Sequence, residues 1–203
     1  MVVQVSRWDP LKDMGGVMQG FAEYVLDGSD AHLVLAGPVV TSVADDPEGA
    51  EVLQDVWRAW RDLPHAARSR VQLVCLPMAD NDENAAIVNA LQRHATVVVQ
   101  KSLEEGFGLT VTEAMFKSRP VVASAVGGIV DQIDDGVTGL LLDDPTDLAS
   151  MGALVRELLG DQAMRVRLGS AARQAAVDRF LPDSSLSAWT AVVASARKLR
   201  ASE

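Results

Sequence analysis

Short apolar runs alternate with longer amphipathic stretches along most of the chain. The runs are nearly continuous in Val, Leu and Ile, a pattern typical of parallel strands that are buried on both faces. Alternation of strand and helix predicts an α/β fold, a Rossmann-like doubly wound parallel sheet of about six strands. The predicted strands are Val2–Ser6, Ala31–Ala36, Val71–Leu76, Thr96–Gln100, Pro120–Ser124 and Thr138–Leu142.

Apolar residues at helical spacing occupy the segments between these strands and most of the chain after Pro145. The acidic stretch Ala44–Ala50 is the best loop candidate. Ligands of doubly wound folds bind at the carboxyl ends of the strands, so the chemistry is expected just after strands. The predicted helices are Gly16–Leu26, Pro47–Leu63, Glu83–His94, Thr110–Lys117, Asp147–Leu159, Gln162–Phe180 and Ser184–Arg200, with a turn or short helix at Ile129–Asp134.

Composition narrows the class of partner. The formal net charge is -10 and hydrophobic residues make up 48% of the 203 residues. An acidic balance argues against nucleic acid, which needs a basic face, but a small anion needs only a few cations and backbone N–H groups. The single cysteine, Cys75, allows no internal disulfide and no Cys-rich metal site, and its apolar surroundings predict a buried, inert thiol.

The sequence contains no apolar stretch of the roughly 18 residues that a membrane span requires. The first residues also lack the basic segment and long apolar core of a signal peptide. We therefore expect a cytoplasmic protein.

The segment Ser102–Met115 is the strongest candidate for chemistry, because it follows the fourth predicted strand and opens a helix. Gly106 and Gly108 permit close backbone approach, and the following helix presents free N–H groups and a positive dipole end. Glu105 precedes the glycines and Glu113 lies on the helix eight residues later, so both carboxylates can face one pocket. Carboxylates in that position suit hydrogen bonding to sugar hydroxyls.

A second candidate segment, Ser6–Gly16, called here the cation loop, follows the first strand and carries two cations, Arg7 and Lys12. The first and fourth strands are neighbours in the usual doubly wound order. These cations are therefore expected to face the loop Glu105–Thr110, called here the glycine segment, across the crevice. Arginine offers a fork to phosphate oxygens and lysine a point charge. Trp8 either lines this crevice or belongs to the core.

The remaining candidate residues give weaker indications of function. Gly127-Gly128 follows the fifth strand and either shapes the pocket floor or simply opens a helix. The three histidines, His32, His65 and His94, fit surface or capping positions better than catalysis, and Trp57, Trp60 and Trp189 fit apolar helix faces.

The string Glu105-Gly-Phe-Gly-Leu-Thr-Val-Thr-Glu113 resembles the E-x-F-G-x(4)-E signature of retaining GT-B glycosyltransferases of family 4. The loop Ser6–Asp13 resembles the donor-phosphate loop of that family. Three further strings, Asn89–Arg93, Val97–Ser102 and Pro120–Ile129, look closer to its trehalose glycosyltransferring synthases and the related trehalose phosphorylases. The resemblance runs from about Val3 to about Arg179 and implies the C-terminal, donor-binding domain.

The resemblance implies a role for each candidate residue. Arg7 and Lys12 would neutralise the donor diphosphate, which leaves no need for a bound metal or other cofactor, and Glu105 would bind sugar hydroxyls. Glu113 would bind the ribose, and the base would lie near Leu76–Met78. Backbone N–H groups for the sugar and phosphate would come from Gly106, Phe107, Gly108, Leu109 and Thr110.

The implied reaction is glucosyl transfer from a nucleoside-diphosphate glucose to a sugar acceptor, with retention of anomeric configuration, giving trehalose. Residues 1–203 would form one nucleotide-sugar-binding domain, and the N-terminal acceptor domain of the family is missing. We therefore expect this chain to bind donor but to transfer nothing without that domain, supplied in cis or in trans. A homodimer is left open.

Two alternatives compete with this interpretation. The cation loop suits orthophosphate equally well, as in the half of a trehalose phosphorylase. A non-catalytic nucleotide-binding or split-subunit module is the other, with the helix Ser184–Arg200 as its docking element. A dinucleotide-dependent oxidoreductase is disfavoured, because no G-x-G-x-x-G follows the first strand.

Overall fold

The computed structural model describes residues 1–40, 47–181 and 189–190. Within them, six parallel strands form one sheet in the order β3-β2-β1-β4-β5-β6, which confirms the predicted fold class. The strands are β1 (Val2–Val5), β2 (Leu33–Pro38), β3 (Val71–Leu76), β4 (Val97–Gln100), β5 (Val121–Ser124) and β6 (Leu140–Leu142).

All of the α-helices except the short one at His65–Arg68, which was not predicted, lie close to predicted positions. Aspartate side chains cap several of them. Asp13, Asp80, Asp147 and Asp161 each accept a backbone N–H at a helix start, the role that short acidic side chains favour. The helices are α1 (Met14–Tyr24), α2 (Pro47–Asp62), α3 (His65–Arg68), α4 (Asn81–His94), α5 (Leu109–Phe116), α6 (Leu148–Gly160) and α7 (Gln162–Phe180), with 3-10 turns at Pro10–Lys12 and Gly127–Ile129.

Three predicted segments differ from the structure or fall partly outside the described residues. The turn predicted at Ile129–Asp134 follows a 3-10 turn, Gly127–Ile129, and residues 130–132 form hydrogen-bonded turns. The predicted loop Ala44–Ala50 was wrong from Pro47 onward, where α2 begins, and its first residues lie outside the described ones. The predicted helix Ser184–Arg200 also lies outside the described residues, apart from 189–190.

Both faces of the central strands β1, β4 and β5 are buried, which explains why these strand sequences are mostly apolar. Consecutive residues of β1 point to opposite sides: Val2 joins one hydrophobic cluster with Phe21 and Leu33, and Val3 joins the other with Val98 and Met115. Full burial of a side chain such as Phe21 contributes about 1.5–3 kcal/mol.

The order of the strands places the crevice. β1 pairs with β2 on one side and with β4 on the other, and strand order reverses at this point. The loops that follow β1 and β4 therefore diverge from adjacent strand ends and leave an opening between them. Their backbones are joined where the Leu103 N–H donates to the carbonyl of Leu11 (2.7 Å).

The structure corrects two expectations about the core. Cys75 is exposed rather than buried, because β3 is the edge strand of the sheet. Burial of part of the thiol nevertheless raises the pKa of Cys75. Trp57 and Trp189 are also exposed, whereas Trp60 packs half-buried against the core. No helix in the described part of the chain is long and apolar enough to cross a membrane.

Candidate functional site

Two capped turns present Lys12 to the crevice. The Asp9 carboxylate accepts from Leu11 N–H and starts the 3-10 turn Pro10–Lys12. Asp13 then takes a left-handed conformation (φ 41°), and its carboxylate accepts from Gly16 N–H to start α1. The fully buried Lys101 forms an ion pair with that Asp13 carboxylate. The cation loop is therefore held at both ends.

Lys12 and Glu105 form an ion pair across the crevice. Lys12 Nζ donates to Glu105 Oε2 at 2.7 Å, and their side chains are only 15% and 12% exposed. Such a pair is less screened by solvent than a surface pair. The backbone of Lys12 is fixed as well, because Gln4 Nε2 donates to its carbonyl at 2.7 Å.

The glycine segment ends in an open helix start. Gly108 has φ 90°, a conformation that only glycine adopts readily, and it precedes α5 without any side-chain cap. The first N–H groups of α5 are therefore left without a capping side chain. An unpaired helix start of this kind favours an anion.

Gly127 and Gly128 lie directly behind this segment. A Cβ atom on Gly127 would sit 1.6 Å from the Glu105 carbonyl oxygen, and Gly128 N–H donates to the Gly106 carbonyl at 3.0 Å. Gln132 holds the next carbonyl, that of Phe107. The glycine pair thus opens a 3-10 turn and also supports the backbone of the glycine segment from behind, but neither glycine lines a cavity of the crevice.

The crevice consists of two adjoining cavities at the carboxyl edge of the sheet. The first, called here the Lys12 lobe, measures about 410 Å³ and is lined by Ser6, Arg7, Lys12, Gln100, Glu105 and 107–110. The second, the Glu113 lobe, measures about 430 Å³; its lining includes Gly37, Pro38, Leu76, Met78, Glu113 and Lys117. Ser6, Arg7 and Thr110 line both lobes.

The predicted site residues therefore converge on one crevice, although not on one cavity. Both cations and Glu105 line the Lys12 lobe, while Glu113 lies on the neighbouring lobe with Arg7 between them. Gly106 lies in the same loop but outside the lining of both lobes. The assigned roles stay predictions.

Arg7 differs from Lys12 in freedom of movement. Its side chain is 66% exposed and its described ion pair is with the neighbouring Asp9, at 2.8 Å. An exposed pair of this kind contributes at most about 1 kcal/mol, so the guanidinium can leave it for a stronger anion.

Glu113 is exposed on α5, one turn before Lys117. Lys117 Nζ donates to Gln92 Oε1 at 2.6 Å. Burial lowers the pKa of the Lys117 amine, an effect that Glu113 opposes and Arg93 adds to. This lobe therefore combines an exposed carboxylate, a partly desolvated cation and an apolar wall.

Trp8 belongs to the core and not to the crevice wall. Its indole is buried, Nε1 donates to the Pro38 carbonyl at 2.8 Å, and the ring packs where a Cβ of Gly37 would otherwise stand. Since Gly37 and Pro38 line the Glu113 lobe, Trp8 supports that lobe from beneath.

Sequence reasoning missed the buried polar residues under the crevice. Gln4, Gln100, Lys101, Ser102 and Gln132 are all buried. A signal was present, because the apolar run of β4 ends in Gln-Lys-Ser directly before the glycine segment. Within the described residues, no group of three or more His, Cys, Asp or Glu side chains is arranged to hold a metal ion.

Known proteins share this architecture. A sucrose-phosphate synthase from Thermosynechococcus elongatus superposes with a TM-score of 0.73 at 25% identity, over 100% of this chain and 46% of that one. The described sheet and its flanking helices are thus those of a GT-B glycosyltransferase.

Sequence comparison identifies the family. The model of the family "Glycosyl transferases group 1" matches residues 1–175, and the chain belongs to that family. The trehalose synthase of Rubrobacter xylanophilus is 37% identical over 180 residues, which are 89% of this chain and 40% of that protein. The trehalose phosphorylase of Grifola frondosa is 28% identical over 93% of this chain and 25% of that protein. The chain thus spans less than half the length of these relatives.

Proposed function

We propose that this chain forms the donor site of a retaining glycosyltransferase. It binds a nucleoside-diphosphate glucose, whose glucosyl group passes to a sugar acceptor to give trehalose. The observation that carries the proposal is the meeting of Arg7, Lys12 and Glu105 beside an uncapped helix start at the sheet's switch point. The similarity to a protein named trehalose synthase supports the choice of product.

The Lys12 lobe takes the diphosphate and the glucose. Lys12 and Arg7 provide the positive charge, and the backbone N–H groups of Gly106–Thr110 add oriented donors. As the bond to glucose breaks, negative charge grows on the departing diphosphate, and donors already in place stabilise it without reorganisation. Glu105 accepts hydrogen bonds from sugar hydroxyls and holds the glucose for attack.

The Glu113 lobe takes the nucleoside. Glu113 is exposed toward this cavity and its carboxylate can accept from both ribose hydroxyls. Leu76 and Met78 supply an apolar wall for the base. Arg7, which lines both lobes, then stands where the diphosphate joins the two halves of the donor.

The acceptor site lies on a further domain. The chain spans 40% of the length of its trehalose synthase relative, so a second half of comparable size supplies the acceptor residues in cis or in trans. We expect residues 1–203 alone to bind donor and to form no disaccharide, and release of labelled trehalose by the purified chain would contradict this.

Calorimetric titration tests donor binding. UDP, ADP, GDP and their glucose conjugates are titrated into the wild-type chain and into Glu113→Ala. Loss of the ribose contacts is expected to cost about 1–3 kcal/mol of binding free energy. Glu157→Ala, an exposed glutamate on α6 outside the crevice, is the matched control and should bind like wild type. Equal affinity of Glu113→Ala and wild type would remove Glu113 from the site.

Orthophosphate is the second candidate for the Lys12 lobe, since one relative is named a trehalose phosphorylase. Thermal melting separates the two functions. A donor site predicts that a nucleoside-diphosphate glucose raises the melting temperature more than phosphate does at equal concentration. A larger shift with orthophosphate would favour the phosphorylase.

A further inference from the structure

Gln100 lies beneath the Lys12 lobe in a position that the assigned roles do not use. It is the last residue of β4, its side chain is 1% exposed, and it contributes to the floor of that cavity. A primary amide buried there must find partners for both its oxygen and its nitrogen, or it would destabilise the fold.

The Gln100 amide finds these partners on three separate segments of the crevice. Its Oε1 accepts from Thr110 Oγ1 at 2.9 Å, in the first turn of α5. Its Nε2 donates to Ser102 Oγ at 3.0 Å, just before the glycine segment. The hydroxyl of Ser6, after β1, lies within 3.2–3.3 Å of both amide atoms. One side chain therefore ties together three pieces of the crevice wall.

The amide also decides which way the neighbouring hydroxyl groups point. Ser102 has a single hydroxyl proton and already accepts from Gln100, so it is free to donate to Glu105 Oε2, 3.2 Å away. The same Glu105 oxygen accepts from Lys12 Nζ at 2.7 Å. A directed chain of donors thus leads from Gln100 through Ser102 to Glu105.

The Thr110 hydroxyl is oriented the other way: it donates to the Gln100 amide, whereas the Ser102 hydroxyl accepts from it. Its hydroxyl proton points down to Gln100 Oε1, which leaves the oxygen lone pairs available on the crevice side. An ionised carboxylate or an apolar side chain at position 100 could not impose this pattern, because neither of them has a proton to donate to Ser102.

We propose that Gln100 is a positioning residue of the donor site, whose amide orients Ser102, and through it Glu105, for the sugar of the bound donor. The proposal rests on the proposed donor function. Gln100 acts through its neighbours and touches no reacting atom.

The isosteric change Gln100→Glu tests the direction of the chain. An ionised carboxylate has no proton to give to Ser102, and it adds a second negative charge near Glu105. At pH 8.5 we expect affinity for the glucose conjugate that wild type binds best, among UDP-, ADP- and GDP-glucose, to fall about tenfold or more, as for a lost charge-assisted hydrogen bond. Gln72→Glu on the edge strand β3, outside both lobes, is the matched control.

A pH series provides the signature that a merely structural role would not give. When the carboxyl introduced by Gln100→Glu is protonated, it regains one O–H donor and one carbonyl acceptor and mimics the amide, and burial favours that neutral form. Affinity of Gln100→Glu should recover toward wild type as pH falls from 8.5 to 5.5. The charged groups that face position 100 are Lys12, Glu105 and Arg7 in the lobe, with the Lys101–Asp13 pair on the adjacent side. These groups are present in wild type and in Gln100→Glu alike, so the pH profile of wild-type binding corrects for their titration.

Ser102→Ala supplies an independent arm should Gln100→Glu fail to melt cooperatively. It removes the hydroxyl that links Gln100 to Glu105, and we expect affinity for the same conjugate to fall about fivefold or more, as for a lost neutral hydrogen bond. In the double variant the two losses should not add, because both break one chain.

The results of these experiments distinguish the role of Gln100 from the donor function itself. Recovery at low pH together with non-additive losses supports the proposal. Wild-type affinity of Gln100→Glu at pH 8.5, a loss that is equal at every pH, or unchanged binding by Ser102→Ala overturns it while leaving donor binding intact. Absence of binding by the wild-type chain to every conjugate would instead overturn the donor function itself, and the proposal with it.

Discussion

The two lobes of the crevice differ in how much of their geometry exists before any ligand arrives. In the Lys12 lobe, a partly buried cation and carboxylate already hold each other at 2.7 Å, with buried amides behind them. In the Glu113 lobe, the acid is exposed and forms no ion pair with any residue that the structure describes. The Lys12 lobe is therefore pre-organised, whereas the Glu113 side chain is free to adjust to a ligand.

This difference matches the chemistry proposed for each lobe. Stabilising charge that appears only during a reaction requires donors that do not have to move, because reorganisation would cancel the gain. Holding a nucleoside needs affinity but little alignment, and an apolar wall with one carboxylate can provide that. Changes to the Lys12 lobe should therefore affect both stability and binding, and changes to the Glu113 lobe mainly binding.

Gly127→Ala is expected to have the largest effect, because it disturbs the support of the Lys12 lobe. Gly127 has φ 51°, and a Cβ there would sit 1.6 Å from the Glu105 carbonyl oxygen. Left-handed strain and forced movement of backbone should together lower the free energy of unfolding by about 3 kcal/mol or more. Urea denaturation measures the loss.

Gly136→Ala is the control for that variant. Gly136 also has a positive φ of 70°, but nothing lies within 4 Å of its added Cβ. The strain alone should cost about 1–2 kcal/mol. Equal losses in the two variants would show that contact with Glu105 is unimportant.

Lys12→Met should come next, since it leaves the Glu105 carboxylate without its cation. The expected loss of unfolding free energy is about 3 kcal/mol, the lower end for a broken buried pair because both side chains keep some exposure. Arg58→Met breaks the pair with Asp55, whose side chains are 69% and 73% exposed, and should cost under about 1 kcal/mol. Similar losses in both would contradict a special environment for Lys12.

Lys117 in the Glu113 lobe should have a small effect that depends on pH. Burial, the main cause, lowers the pKa of the Lys117 amine below its ordinary 10.5. Between the lowered value and 10.5 the unfolded chain binds more protons than the folded chain, so this group makes stability rise with pH in that alkaline window. Lys117→Met should flatten that rise in chemical denaturation curves, and an unchanged slope would count against the desolvation of this amine.

The site's location could be predicted because polar residues interrupt strongly apolar strands at predictable places. Arg7, Lys12 and Glu105 follow β1 and β4, and the doubly wound order brings those two strand ends together. The split into two lobes could not be predicted, because it depends on how far Glu113 turns away along α5.

Two other features could not be predicted from the sequence, and the reasons are again physical. The exposure of Cys75 depends on the position of β3 at the edge of the sheet. The local pattern of hydrophobic residues does not predict the order of the strands. The role of Gln100 depends on partners from three separate segments. Only the folded chain brings these together, so spacing along the sequence does not reveal them.

An amide-resolved NMR titration with the best-binding glucose conjugate tests most directly whether the lobes form one donor site. We predict that N–H signals of 107–110 in the Lys12 lobe and of 76, 78 and 113 in the Glu113 lobe shift together, with a single dissociation constant. Shifts confined to one lobe, or two different dissociation constants, would contradict it.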